Sequence, residues 1–151
     1  MSDFLDAHEL VDIPTTSKRV ALIAHEGRKV DLVSWATFNR DILARFFLIA
    51  TRNTARLLQR KVGLSVVELL AGSVGGDMQI ATRVVQGEVD AVLFLADPIS
   101  RQPHEPDMHP VHRVCNIYNV PFATNLATAG MIIDAFARLD ELTPHVTCSK
   151  P

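Results

Sequence analysis

The chain has 151 residues, a formal net charge of −2 and 48% apolar residues. That length fits one domain, and the apolar share excludes a disordered chain. The charge balance excludes a basic footprint for nucleic acid, and no apolar run approaches the roughly 20 residues that cross a bilayer.

Residues 1–17 hold acids and no Lys or Arg, which argues against a secretory signal or a transit peptide. They end in the turn-like Ile13-Pro14-Thr15-Thr16-Ser17 and read as an N-terminal arm. Two cysteines, Cys115 and Cys148, do not make a disulfide framework and fit a reduced, cytoplasmic setting.

From Lys18 a unit repeats: a short apolar run, a polar loop, then a helical stretch. The runs are residues 20–24, 46–50, 65–70, 91–96 and 121–123. They are continuously apolar rather than alternating, as in strands covered on both faces. Helices are predicted over 29–44, 53–62, 78–87, 110–118 and 127–139, with Leu32, Trp35, Phe38 and Leu43 on one face of the first. Gly63 and Gly87 stand where helix C-caps are expected. Phe46 and Phe47 read as core. Strands alternating with helices predict one doubly wound α/β domain over residues 18–142. Its five-stranded, mostly parallel sheet carries helices on both faces. Residues 143–151 read as a C-terminal tail.

Polar clusters follow each predicted strand. They are His25-Glu26, Thr51-Arg52-Asn53-Thr54, Gly72-Ser73-Val74-Gly75-Gly76-Asp77, the loop Asp97–Asp107, and Thr124-Asn125. An open parallel sheet binds ligands outside its carboxyl edge, so five clusters converge on one region. The loop from Asp97 to Asp107 carries two aspartates, His104, Glu105 and three prolines, which make it stiff.

Gly72–Asp77 has three glycines in five positions and leads into a helix. Such a backbone can approach an anion closely. Thr51, Arg52, Asn53 and Thr54, with Lys29, could hold a phosphate by charge-assisted bonds. Ordinary turns are the competing reading, with Thr51 and Asp77 as N-caps. A carboxylate at Asp77 beside a bound anion is repelled and partly desolvated, which strengthens it as a base. The run His104, Asp107, His109, His112 lacks the partner residues of a structural zinc site, and Pro110 interrupts it, so no metal is expected.

On these residues the chain resembles the methylglyoxal synthase family. The matching segments are Ala21-Leu-Ile-Ala-His-Glu, Leu32-Val-Ser-Trp, Ala50-Thr51, Gly75-Gly-Asp-Met-Gln-Ile, Asp97-Pro-Ile, Pro103-His-Glu-Pro-Asp and Tyr118-Asn-Val-Pro-Phe-Ala-Thr-Asn-Leu-Ala-Thr-Ala. The resemblance implies conversion of dihydroxyacetone phosphate to methylglyoxal and inorganic phosphate, with no cofactor, in a homohexamer. It implies that Asp77 is the catalytic base, that His104 handles protons at the enediolate oxygens, and that Asp107 and His25 support them. It places Lys29, Thr51, Thr54 and Gly72 at the phosphate. The family usually continues Ala-Thr with Gly-Thr-Thr-Gly, where this chain has Arg52-Asn53-Thr54-Ala55. Arg52 could make a new bidentate contact to phosphate or fill the pocket. That departure leaves two other readings: a phosphate- or phosphometabolite-binding paralogue with little turnover, and a related lyase or phosphohydrolase for another phosphorylated sugar.

Overall fold

The computed structural model describes residues 17–100 and 102–142; the expected tail and all but Ser17 of the expected arm lie outside them. Five strands, β1 (Arg19–Ala24), β2 (Phe47–Ala50), β3 (Val66–Glu68), β4 (Ala91–Leu95) and β5 (Phe122–Ala123), form one sheet in the order β3-β2-β1-β4-β5. Every pairing is parallel. β1 is the centre: Val20 to Ala24 pair with Ala91 to Leu95, and Arg19 to Leu22 with Phe47 to Ala50.

Helices connect the strands: α1 (Lys29–Phe38), α2 (Arg40–Leu43), α3 (Arg52–Leu57), α4 (Gly76–Val85), α5 (Met108–Ile117) and α6 (Leu126–Leu142). Alternate strand residues feed two cores. Val20, Leu22, Leu48 and Leu93 pack with Leu32, Leu43, Leu58 and Ile133, from α1, α2, the turn after α3, and α6. Ala21, Ile23, Val92 and Phe94 pack with Ile80 and Val84 of α4 and Val111 of α5. Two buried faces explain the unbroken apolar runs, and each large side chain so buried contributes about 2 kcal/mol.

The chain steps outward from β1 to β2 to β3, then crosses back to place β4 on the other side of β1. The direction of winding therefore reverses between β1 and β4, and the carboxyl edge beside such a reversal is where open parallel sheets leave a crevice for ligands.

The first predicted helix is divided. At Asn39 the backbone N–H and the side-chain amide both donate to the Trp35 carbonyl, at 3.0 and 2.9 Å. A side chain that competes for the helix's own acceptor ends it there. Phe38 does not share the buried face with Leu32 and Leu43; it is 90% exposed, and Ala36 takes the inward position. Phe46 is buried, with its ring edge-on to Phe136 at 6.2 Å, one residue before β2 begins. Gly63 and Gly87 adopt φ of +74°, the left-handed conformation that ends helices.

Candidate functional site at the carboxyl edge

Each wall of the crevice is built by a loop that leaves a strand. After β1 the His25 ring is 3% exposed and fully committed. Its Nδ1 accepts from the Asp97 N–H at 3.0 Å, so the proton sits on Nε2, 2.9 Å from the Pro106 carbonyl. The backbone N–H of His25 also donates to Leu95 O, and Phe94 meets the ring edge-on at 5.4 Å. His25 therefore joins the ends of β1 and β4 to the loop at Pro106, and neither nitrogen is free for a ligand.

Lys29 opens α1 and is ion-paired with Glu26. After β2, Thr51 and Thr54 are buried with their hydroxyls 3.5 Å apart. Thr51 occupies the N-cap position of α3, but its side chain does not cap the helix. After β3 a short turn, Gly72–Val74, leads through Gly75, at φ +106°, into α4. Gly76 is required by contact: a Cβ there would lie 1.9 Å from the Leu70 carbonyl oxygen and 3.0 Å from Thr51 Cγ2. Asp77 follows in the first turn of α4, buried, and its carboxylate accepts no hydrogen bond from the described residues.

Between these loops lies a cavity of about 70 Å³. Lys29, Thr51, Asn53, Thr54, Gly72, Ser73 and His104 line it, together with Glu26, Glu105 and Pro106. Seven of the residues expected from sequence thus meet in one small polar space holding a cation, hydroxyls, an amide and an imidazole.

Other expected residues lie elsewhere. Arg52 neither fills nor lines the cavity; its Nε sits 3.4 Å from Glu68, a carboxylate that also binds Arg56. The helical turn begun at Thr51 carries position 52 toward β3, where Glu68 supplies the opposite charge. Gly75 and Gly76 shape the backbone behind the wall. Asp107 is not on the cavity wall either: it is the N-cap of α5, accepting from the His109 N–H at 3.1 Å and facing the His109 ring at 2.7 Å. Asp77, close in sequence to Gly72 and Ser73, is not itself part of the lining, and it is not an N-cap. Thr124 and Asn125 open on a second cavity of about 470 Å³, which Arg28, Asp31 and Pro98 also line. The fifth polar cluster therefore opens on a different cavity from Lys29, Thr51 and His104, and shares it with Pro98 of the fourth. Among the described residues no three His, Cys, Asp or Glu side chains come together as metal ligands, and no helix is long and apolar enough to cross a membrane.

Two buried carboxylates stand outside the expected set. Asp97 Oδ1 accepts from the N–H groups of Ile99 and Ser100 at 3.0 and 3.2 Å. Those bonds, with lesser help from Arg28, hold its carboxyl below the usual range. Its Oδ2 lies so close to Gly27 that a Cβ there would sit 2.0 Å away. Glu105 is buried between the exposed His104 and the half-buried Pro106. A signal existed for both, since each carboxylate lies in the Pro-rich stretch after β4. Burial, which sequence spacing does not report, is what distinguishes them.

A family profile described as the MGS-like domain matches residues 31–124. The methylglyoxal synthase of Ralstonia nicotianae is 48% identical over 118 residues, covering 78% of this chain and 87% of that protein. The methylglyoxal synthase of Thermus thermophilus is 47% identical over 116 residues, covering 77% and 92%. The crystal structure of methylglyoxal synthase from Elizabethkingia anophelis superposes with a TM-score of 0.76 at 36% identity, covering 78% of each chain.

Proposed function

The chain belongs to the MGS-like domain family, and from that premise we propose that it is a methylglyoxal synthase, a lyase that eliminates phosphate from dihydroxyacetone phosphate. The observation that carries the reading is the cavity in which Lys29, Thr51, Thr54 and the Gly72 loop meet His104. A phosphate dianion placed there faces an ammonium group, hydroxyl donors and loop amides, and such charge-assisted bonds are the strong ones.

Asp77, which follows the Gly72 loop into the first turn of α4 and takes the role of base from the family resemblance, removes a proton from the hydroxyl-bearing carbon next to the substrate carbonyl. The electron pair moves onto the carbonyl oxygen as an enediolate, and His104 donates a hydrogen bond where that charge develops. The hydroxyl of the enediolate then gives up its proton and its oxygen becomes the aldehyde carbonyl, the double bond shifts toward the opposite carbon, and the C–O bond to phosphate breaks there. Phosphate leaves with the electron pair, and the remaining enol takes up a proton at carbon to become methylglyoxal. A buried Asp77 without donors of its own suits proton abstraction, because nothing competes for its oxygens. His25 and Asp107 serve by holding the loop and capping α5, since their polar atoms are already engaged. Arg52, tied to Glu68, leaves the cavity open, which weighs against a pocket plugged by its guanidinium.

We extend the proposal to a cytoplasmic homo-oligomer, a hexamer by the family resemblance. Exposed Phe38, Ile99, Val30 and Met131 support burial against further copies. The test of the reaction is release of methylglyoxal and phosphate from dihydroxyacetone phosphate by the purified chain and by Asp77→Asn. The parent should turn over and the variant lose at least about a thousandfold in kcat. An Asp77→Asn variant as fast as the parent sinks the assignment.

A further inference from the structure

His104 lines the cavity, yet its side chain makes no hydrogen bond or ion pair with the described residues. Its position therefore depends on its neighbours in the chain. The next residue, Glu105, turns inward and is 8% exposed. Its Oε1 accepts from the Glu26 N–H at 3.1 Å. Its Oε2 is buried, has no hydrogen-bond partner, and lies 3.3 Å from Nδ1 of His25. Asp97 N–H already occupies that nitrogen, so the second carboxylate oxygen meets the ring without a donor of its own. One residue further on, the Pro106 carbonyl accepts a hydrogen bond from the Nε2–H of His25, and the Pro106 ring rests where a Cβ on Gly72 would lie 2.8 Å from its Cγ.

A carboxylate buried with a single donor is expensive compared with an apolar side chain of the same size. Geometry accounts for it better than stability does. We propose that Glu105 is a positioning residue: by gripping the Glu26 amide and facing the His25 ring, it sets where His104 stands over the cavity. Glu26 begins the turn that leads to Lys29, so the same grip ties the proton-handling loop to the anion-binding wall. The proposal rests on the lyase reading of this cavity.

The test compares the whole chain with Glu105→Ala and Glu105→Gln in steady-state turnover of dihydroxyacetone phosphate and in amide hydrogen exchange. Alanine should lower kcat about 100-fold, the scale of a misplaced catalytic group. KM should change far less than kcat, because Thr51 and Thr54 lie outside that grip and keep their places on the wall. Glutamine keeps the oxygen that accepts the Glu26 amide and should return kcat to within about tenfold of the parent. Exchange of the Glu26 amide and of the Glu105 amide, which donates to the Gln102 carbonyl, should rise in the alanine variant and not in the glutamine variant. A folded alanine variant with parental kcat overturns the proposal, and so does unchanged exchange at Glu26. If alanine prevents folding, Glu105→Asp, one methylene short of the amide, carries the same comparison, and parental kcat with parental exchange refutes it. Should the parent form no methylglyoxal, the reaction assignment falls alone, and the exchange comparison still decides whether Glu105 positions the loop.

Discussion

Replacing Gly76 by alanine places a methyl group where the backbone allows none. The new Cβ would lie 1.9 Å from the Leu70 carbonyl oxygen, which already accepts the Arg52 N–H at 3.3 Å. Both partners of the clash are backbone, so no side-chain rotation relieves it. Forced overpacking costs about 2 kcal/mol. Displacing Leu70 O weakens its bond to Arg52, which costs about 1 kcal/mol more. Near 3 kcal/mol corresponds to a fall in melting temperature of about 10 °C for a chain of this size. Because Asp77 is the next residue, the same shift moves the proposed base, and a displacement of about 1 Å costs about 100-fold in kcat. Gly75→Ala is the control. Its φ of +106° strains an L-residue by about 1–2 kcal/mol, but a Cβ there meets nothing within 4 Å. Thermal melts at one protein concentration, paired with methylglyoxal release at saturating substrate, separate the two variants. A Gly76→Ala protein with parental melting temperature and kcat would refute the reasoning.

Lys29→Ala should raise the dissociation constant for inorganic phosphate about tenfold, the loss of one charge-assisted bond, as read by titration calorimetry. Arg52→Gly should change KM less than about twofold, because the guanidinium is held on Glu68 outside the cavity; its surface ion pair should cost at most about 1 kcal/mol in urea melts. Asp97 has a folded-state pKa below its ordinary value of 3.8, so the unfolded chain binds its proton first as pH falls. Its contribution to stability is complete above that ordinary value and is lost as pH drops through the lower folded one. Asp97→Asn should therefore flatten the acid limb of the stability curve below about pH 4, measured by urea melts across pH.

Much of the carboxyl edge was legible in the residues themselves. Apolar runs without alternation required strands covered on both faces, and the sheet supplies two cores on either side of β1. The glycines at 63 and 87 announced helix ends because only a residue without a Cβ takes φ near +74° without strain. Lys29, Thr51, Thr54, Gly72 and His104 could be picked out because each follows a strand in a parallel sheet, and such sheets point those ends the same way.

What tertiary packing decided is the direction of individual side chains. Arg52 stands one residue from Thr51, yet a charge on β3 draws it away from the cavity its neighbour lines. His25 and Asp107 have the chemistry of acid–base groups, yet backbone partners occupy them. Glu105, one residue from His104, turns inward while its neighbour turns out. Pattern along a chain reports which residues share an edge, because period and polarity are local. Which of them faces the ligand is set by distant partners competing for each polar atom, and those partners meet only in the folded protein.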